Sequence, residues 1–177
     1  MFNQAKIYAE LLDFIGMSNS QVQTSLRRIF NRDIQDNNNF LFEGKVIRPL
    51  KVEGQASMDT VYGHLTTHRI EVEEDGVKFK RSIYDQHRSV RLHWLRFHID
   101  RGAHQEVEIF SVRERDPDLR KDMINTYVYN ASQRYVIVLQ LQDSELDYYL
   151  LTAYYLNEKW GPKSIEKKIK QKLEKVY

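Results

Sequence analysis

The chain has no cysteine, only three prolines and only seven glycines among its 177 residues. Without a thiol it can form no disulfide, thiolate nucleophile or cysteine zinc site. Its scattered glycines make no phosphate-cradling loop, and its histidines lack carboxylates at ligand spacing, so no metal and no cofactor are expected. No apolar run reaches membrane length, and Lys6, Glu10 and Asp13 interrupt the N-terminal apolar pattern where a signal peptide would not. A soluble, cytoplasmic protein with no membrane association is therefore expected. The net charge of +2 is small but unevenly spread. Basic residues crowd Lys78 to Arg101 and Glu158 to Lys175, whereas acidic ones gather at Glu71 to Asp75 and Glu106 to Asp122. With 41% hydrophobic residues the chain can bury one core.

Two apolar stripes at helical spacing open the sequence: Ile7, Leu11, Leu12 and Ile15 before Gly16, then Val22, Leu26, Ile29 and Phe30 after the start signal Ser18 to Ser20. They predict an N-terminal helical hairpin. Asn37 to Asn39 breaks the pattern, which divides the chain into a lead-in, 1–39, and a main domain, 40–177. Phe40 to Leu50 reads as extended, interrupted by Gly44 and stopped by Pro49. His64 to Ile83 reads as a hairpin whose Asp75-Gly76 pair favours a type I′ turn. That turn sets Glu73 opposite Lys78, Val72 opposite Phe79, Glu71 opposite Lys80, Ile70 opposite Arg81 and His68 opposite Ile83. The charged pairs should face water and the apolar pairs the core.

Tyr84 to Asp100 reads as one helix capped by Asp85 and followed by Gly102, with Leu92, Leu95 and Ile99 on one side and Val90, Trp94 and Phe97 on the other. Strands follow at Glu106 to Arg113, Thr126 to Tyr129, Arg134 to Gln142 and Asp147 to Leu156. A short helix at Asp118 to Met123 is expected after Asp116-Pro117. A last helix, capped by Ser164, carries Ile165, Ile169, Leu173 and Val176. Together these predict an α+β fold, in which one antiparallel sheet holds both the His64–Ile83 and the Arg134–Leu156 hairpins and helices pack on it.

Candidate chemistry collects on a few positions. In the last strand, strict alternation puts Tyr148, Leu150, Thr152, Tyr154 and Leu156 on one face, so the single polar Thr152 neighbours Tyr154. In the first hairpin His68 and Arg81 are diagonal neighbours, with His64 and Thr66 continuing their row. A guanidinium beside an imidazole suits phosphate chemistry, because one holds charge and the other moves a proton near neutral pH. Arg88 and Arg91, three apart at the start of the next helix, can join them in a basic pocket.

The segment Arg81 to Leu95, followed by Tyr148 to Leu156 with its Thr-Ala-Tyr core, resembles the phage- and toxin-associated nucleases grouped with barnase, EndoU, colicin-type tRNases and RelE. The resemblance covers about His64 to Tyr177 and leaves the lead-in unexplained. It implies a small helical region on an antiparallel sheet and metal-independent RNA cleavage by 2′-hydroxyl attack on the adjacent phosphate. By the resemblance, Thr152 and Tyr154 match the late-strand Thr-x-Tyr pair, Arg88 and Arg91 the basic helix, and His68 the hairpin histidine, while no second histidine is placed. Catalytic candidates are thus His68, Arg81, Arg88, Arg91, Thr152 and Tyr154. RNA is the implied partner, with a neutralising antitoxin or immunity protein and a homodimer through 1–39 as further candidates. Two rivals stay open: Arg88 and His93 match the Arg-x4-His spacing of helical HEPN-type ribonucleases, and a non-enzymatic RNA- or protein-binding module of a phage or defence system would use the same basic and aromatic groups.

Overall fold

The computed structural model of the chain describes residues 2–49, 57–100, 106–116, 120–157 and 161–177. Helix α1 (Asn19–Phe30) starts where Ser18 and Gln21 cap each other reciprocally, each side chain accepting from the other's backbone N–H. It buries Leu26, Ile29 and Phe30. The helix expected before it does not form. After a 3₁₀ turn at Phe2–Ala5 the chain runs through turns and extended backbone to α1, because its polar groups bond to other elements. Asn3 and Asp13 exchange two bonds of 2.8 Å, Leu12 N donates to Val90 O at 2.9 Å, and Trp94 Nε1 donates to Glu10 O at 3.0 Å. Of the expected stripe only Leu12 is buried, and Ile15 is 92% exposed. The lead-in therefore contributes one α-helix, continued by a π-helical turn at Asn31–Gln35, and no helical hairpin.

Strands β1 (Leu41–Phe42) and β2 (Lys45–Pro49) form a small antiparallel pair around Gly44. Helix α2 (Ser57–Thr66) leads into a ribbon of β3 (Thr67–Glu74) and β4 (Val77–Tyr84). The ribbon's register is the one that the Asp75-Gly76 turn predicts, pair for pair, and both turn residues have the positive φ that type I′ requires. Its setting differs from expectation. His64 lies on α2, not on a strand, and the ribbon is a separate two-stranded sheet in which no residue is fully buried. A helix ending at Thr66 leaves the ribbon attached at its root, so its apolar pairs are only half covered.

The expected long helix is broken into α3 (Gln86–Ser89) and α4 (Trp94–Ile99), joined by tight turns. Asp85 caps α3 as predicted, accepting from Arg88 N at 3.0 Å. Leu92, Leu95 and Ile99 are buried; of the second stripe Trp94 is buried, while Val90 and Phe97 are half-buried. Strands β5 (Val107–Asp116), β6 (Lys121–Asn130), β7 (Tyr135–Leu141) and β8 (Asp147–Tyr155) form an antiparallel meander. Strand β6 occupies Lys121 to Met123, where the end of a short helix was expected, and residues 117–119 lie outside the described set. Helix α5 (Gly161–Ile169) ends earlier than its apolar repeat suggests, because Leu173 N turns back to donate to Ser111 O at 2.8 Å.

The main sheet has the order β1-β2-β8-β7-β6-β5 and is mixed, since β2 runs parallel to β8. The fold is thus α+β with a mixed rather than purely antiparallel sheet. Strand β7 is buried along its whole length. Its Ile137, Leu139 and Leu141 face a large core with α1, α2, α4, Leu12 and Leu92, while Val136 and Val138 face a smaller core with Phe110, Tyr127 and Ile165 of α5. Residues on both sides of the expected 39/40 division share the larger core.

His98 anchors the N-terminal segment from inside. Its Nδ1 lies 2.8 Å from Trp94 O, so Nδ1 carries the proton and Nε2 accepts from Asn130 Nδ2 at 3.2 Å. The same Asn130 amide donates to Tyr8 Oη at 3.0 Å, and the Tyr8 ring stacks on Phe97 at 3.9 Å. Burial lowers the pKa of His98, and of His93 and His64 as well. Because the folded state resists protons that the unfolded chain takes up near pH 6.5, stability should fall as pH drops below about 6.5. Each such histidine contributes up to about 1.4 kcal/mol per pH unit in that window. Denaturant unfolding between pH 7.5 and 5 should show a shallower slope for His98→Gln than for the wild type, and equal slopes would discount the role of His98.

Candidate functional site

The site begins where β8 loses its neighbour. Strand β2 pairs with β8 only from Asp147 to Leu150. On the other side the β7 register slips between Leu139, opposite Leu150, and Val138, opposite Thr152, which leaves Leu151 as a bulge. The bulge resets the alternation expected for this strand. Tyr148 and Leu150 belong to the large core, whereas Tyr154 and Leu156 belong with the small one, so the five residues expected on a single face are divided. Thr152 and Tyr154 remain neighbours, opposite Val138 and Val136.

Polar groups of α2 and α3 bond to this free edge. His64 Nδ1 donates to Leu151 O at 3.0 Å, and the His64 carbonyl accepts from Arg88 Nη1 at 2.7 Å and from Thr152 Oγ1 at 3.2 Å. Arg88 Nη1 also donates to Thr152 Oγ1 at 3.1 Å, and its guanidinium lies 5.7 Å from the centre of the Tyr154 ring. From its other side Arg88 pairs with Asp85 Oδ2 at 3.2 Å, and the same oxygen is 3.2 Å from His68 Nδ1. A continuous chain therefore runs His68, Asp85, Arg88, Thr152, with His64 closing it against β8. The His68 side chain is 40% exposed, which leaves it open to solvent at the outer end.

Burial lowers the Arg88 pKa while Asp85 and Tyr154 oppose the shift, and a guanidinium keeps its charge through such changes. Burial pushes the Tyr154 phenol up to about 12, so it is a protonated hydrogen-bond donor at neutral pH. Burial holds the His64 pKa below its usual value, the hydrogen bond to Leu151 O opposes the shift, and the charges of Arg69 and Arg88 add to it.

The other expected arginines sit differently. Arg91 is 9% exposed, with Nη1 on His87 O at 2.9 Å and its guanidinium 3.8 Å from the Tyr155 ring centre, so it supports β8 from below. Arg81 lies on the ribbon, pairs with Glu74 at 2.8 Å and covers Phe79. No hydrogen bond or ion pair links Arg81 to Arg88 or Thr152 among the described residues. The HEPN-like pair also fails to converge: Arg88 serves β8, whereas His93 Nε2 donates to Ile7 O at 3.4 Å.

The sequence places His64 in a strand row beside His68 without assigning it to the site, and it marks Asp85 only as a cap. Sequence reasoning also passed over a polar group beneath α5, where Glu114 accepts from Tyr127 Oη at 2.5 Å and Asn125 Nδ2 at 2.8 Å and pairs with Lys168. Those interactions fasten α5 to β5 and β6. Cavities of about 290 Å³, beside Asn3, Ser25 and Arg28, and about 140 Å³, beside Arg113 and Asp143, lie away from the cluster. No grouping of residues suited to a metal ion occurs among the described residues. No family model matches the chain, and neither the curated proteins nor the solved structures contain a match.

Thr152 both donates and accepts in this network. Thr152→Val should cost about 1–3 kcal/mol, because it leaves Arg88 and the His64 carbonyl each short of a partner, while Thr152→Ser should cost much less. Chemical denaturation of both variants checks this. Arg91→Ala should also lower stability, since it removes packing beneath Tyr155 and Trp94 as well as charge.

Proposed function

We propose that this chain is a toxin-like, metal-independent endoribonuclease that cleaves RNA by attack of a ribose 2′-hydroxyl on the adjacent phosphate. The observation that carries the reading is the unbroken chain from the half-exposed His68 imidazole through Asp85 to the Arg88 guanidinium, Thr152 and Tyr154. Phosphodiester transfer within RNA requires a proton carrier, fixed positive charge and hydrogen-bond donors around the phosphate, and no redox or group-carrying cofactor.

In this reading Asp85 holds His68 by Nδ1, so Nε2 is the nitrogen that exchanges a proton with RNA. Arg88 supplies positive charge at a place fixed by its three partners, and Arg91 adds to the field from beneath Tyr155. Thr152 and the protonated Tyr154 phenol position a phosphate oxygen or a base. Arg81, committed to Glu74 on the ribbon, would meet RNA outside the reacting centre. The natural setting of such an enzyme is the cytoplasm, where RNA is at hand and a neutralising antitoxin or immunity protein restrains it. Pairing of two copies through residues 1–39 belongs to the same reading. A second reading, a non-enzymatic RNA- or protein-binding module, draws on the ribbon, whose charged pairs stand in solvent.

The deciding experiment incubates the purified chain with total RNA and defined oligonucleotides in excess chelator. The expected products carry 2′,3′-cyclic phosphate and free 5′-hydroxyl ends. His68→Ala should slow their formation by about 10²- to 10⁴-fold without changing thermal unfolding. Binding of RNA with no cleavage at any pH would reject the enzyme in favour of the binding module.

A further inference from the structure

Within the ribonuclease reading, on which this step rests, we propose that His64 takes the 2′-hydroxyl proton and that Arg69 holds the scissile phosphate, with Arg88 acting as the residue that positions His64. The arginines near the site are not equivalent. Arg88 is committed to Asp85, Thr152 and the His64 carbonyl, Arg91 to His87 and Tyr155, and Arg81 to Glu74. Arg69 is exposed on β3, and its side chain makes no ion pair or hydrogen bond among the described residues. It is the guanidinium near the site whose donors are all open to an anion.

Its placement follows from the ribbon. Thr67 and Arg69 share one ribbon face, and Thr67 Oγ1 folds back to donate to Gly63 O at 2.8 Å, which turns that face toward the last turn of α2, where His64 lies. His68, between them in sequence, points to the opposite face and bonds to Asp85. Arg88 links the two histidines, since it bonds to the His64 carbonyl and to Asp85, which holds His68.

His64 is built for accepting a proton. A carbonyl can only accept, so the 3.0 Å contact with Leu151 O puts the proton on Nδ1 and the lone pair on Nε2. Nε2 makes no hydrogen bond among the described residues and is not a buried, unsatisfied atom, so it keeps some exposure to solvent. Burial favours the neutral imidazole against the opposing effect of the Leu151 hydrogen bond, and the charges of Arg69 and Arg88 favour it further. In the step itself the 2′-oxygen forms its bond to phosphorus as His64 Nε2 takes its proton. The bond from phosphorus to the 5′-oxygen breaks, and that oxygen takes a proton from the imidazolium form of His68. Arg69 carries the charge that builds on the non-bridging oxygens.

His64→Asn separates a catalytic from a structural role, because its amide can still donate to Leu151 O but has no counterpart of Nε2. Cleavage of RNA is measured together with fluorescence-anisotropy binding of a DNA oligonucleotide of the same sequence, which lacks the attacking hydroxyl. His64→Asn should cut cleavage by about 10²- to 10⁴-fold with DNA binding and unfolding unchanged. Arg69→Ala should weaken DNA binding by about tenfold and flatten its salt dependence, whereas Lys78→Ala, at the far end of the ribbon, should do neither. Cleavage by His64→Asn equal to that of an active wild type would overturn the assignment of the base. DNA binding by Arg69→Ala equal to that of Lys78→Ala would overturn the assignment of the phosphate cation. A wild type that cleaves no RNA would instead reject the ribonuclease reading itself and His64 with it, and anisotropy alone would then decide the role of Arg69.

Discussion

A strand in the interior of a sheet must bond its backbone on both sides, and β8 loses its outer neighbour halfway along. Beyond Leu150 its edge is met by side chains and helix ends. The Leu151 bulge turns a carbonyl toward α2, and His64 donates to it. Thr152 then serves the His64 carbonyl, and Arg88 serves both. The cluster of chemical groups is therefore also the device that ends the sheet. Its members are held by backbone partners, which fixes their orientation more tightly than side-chain pairing alone would.

The same economy governs the N-terminal segment, which has too little regular structure to satisfy its own polar groups. Asn3, Trp94, His93, Asn130 and Val90 supply the missing bonds, and Tyr8 fills the space between Trp94, Phe97 and His98. Buried histidines are used there as neutral donors and acceptors. His64 is less buried than His93 and His98; it donates from Nδ1 to Leu151 O, and its Nε2 makes no hydrogen bond among the described residues.

Charge is distributed by a related rule. Guanidiniums that enter the body find carboxylates, carbonyls or aromatic faces, as Arg88 does with Asp85 and Arg91 with Tyr155. Those left on the surface without a partner keep their full capacity for an anion. A freestanding ribbon can carry such a group because its two strands satisfy each other and ask little of the body.

Local chemistry was legible in the sequence wherever a few neighbouring residues decide the outcome. The Asp75-Gly76 turn dictated the ribbon register because its φ angles admit few alternatives, the Asp85 cap and the Ser18 start signal need only a side chain within reach of an N–H three residues on, and β7 betrayed itself by the apolar run Tyr135 to Leu139. The Thr152–Tyr154 neighbourhood was legible for the same reason. What only tertiary structure decided were choices between equally good local answers: whether Ile7 to Ile15 coil into a helix or lend their backbone to Val90, Trp94 and His93, and whether His64 ends a helix or begins a strand. The bulge at Leu151 belongs with these. A register slip costs little locally and is fixed by which residues of β7 stand opposite, so no pattern within β8 could announce that Tyr148 and Tyr154 would face different cores.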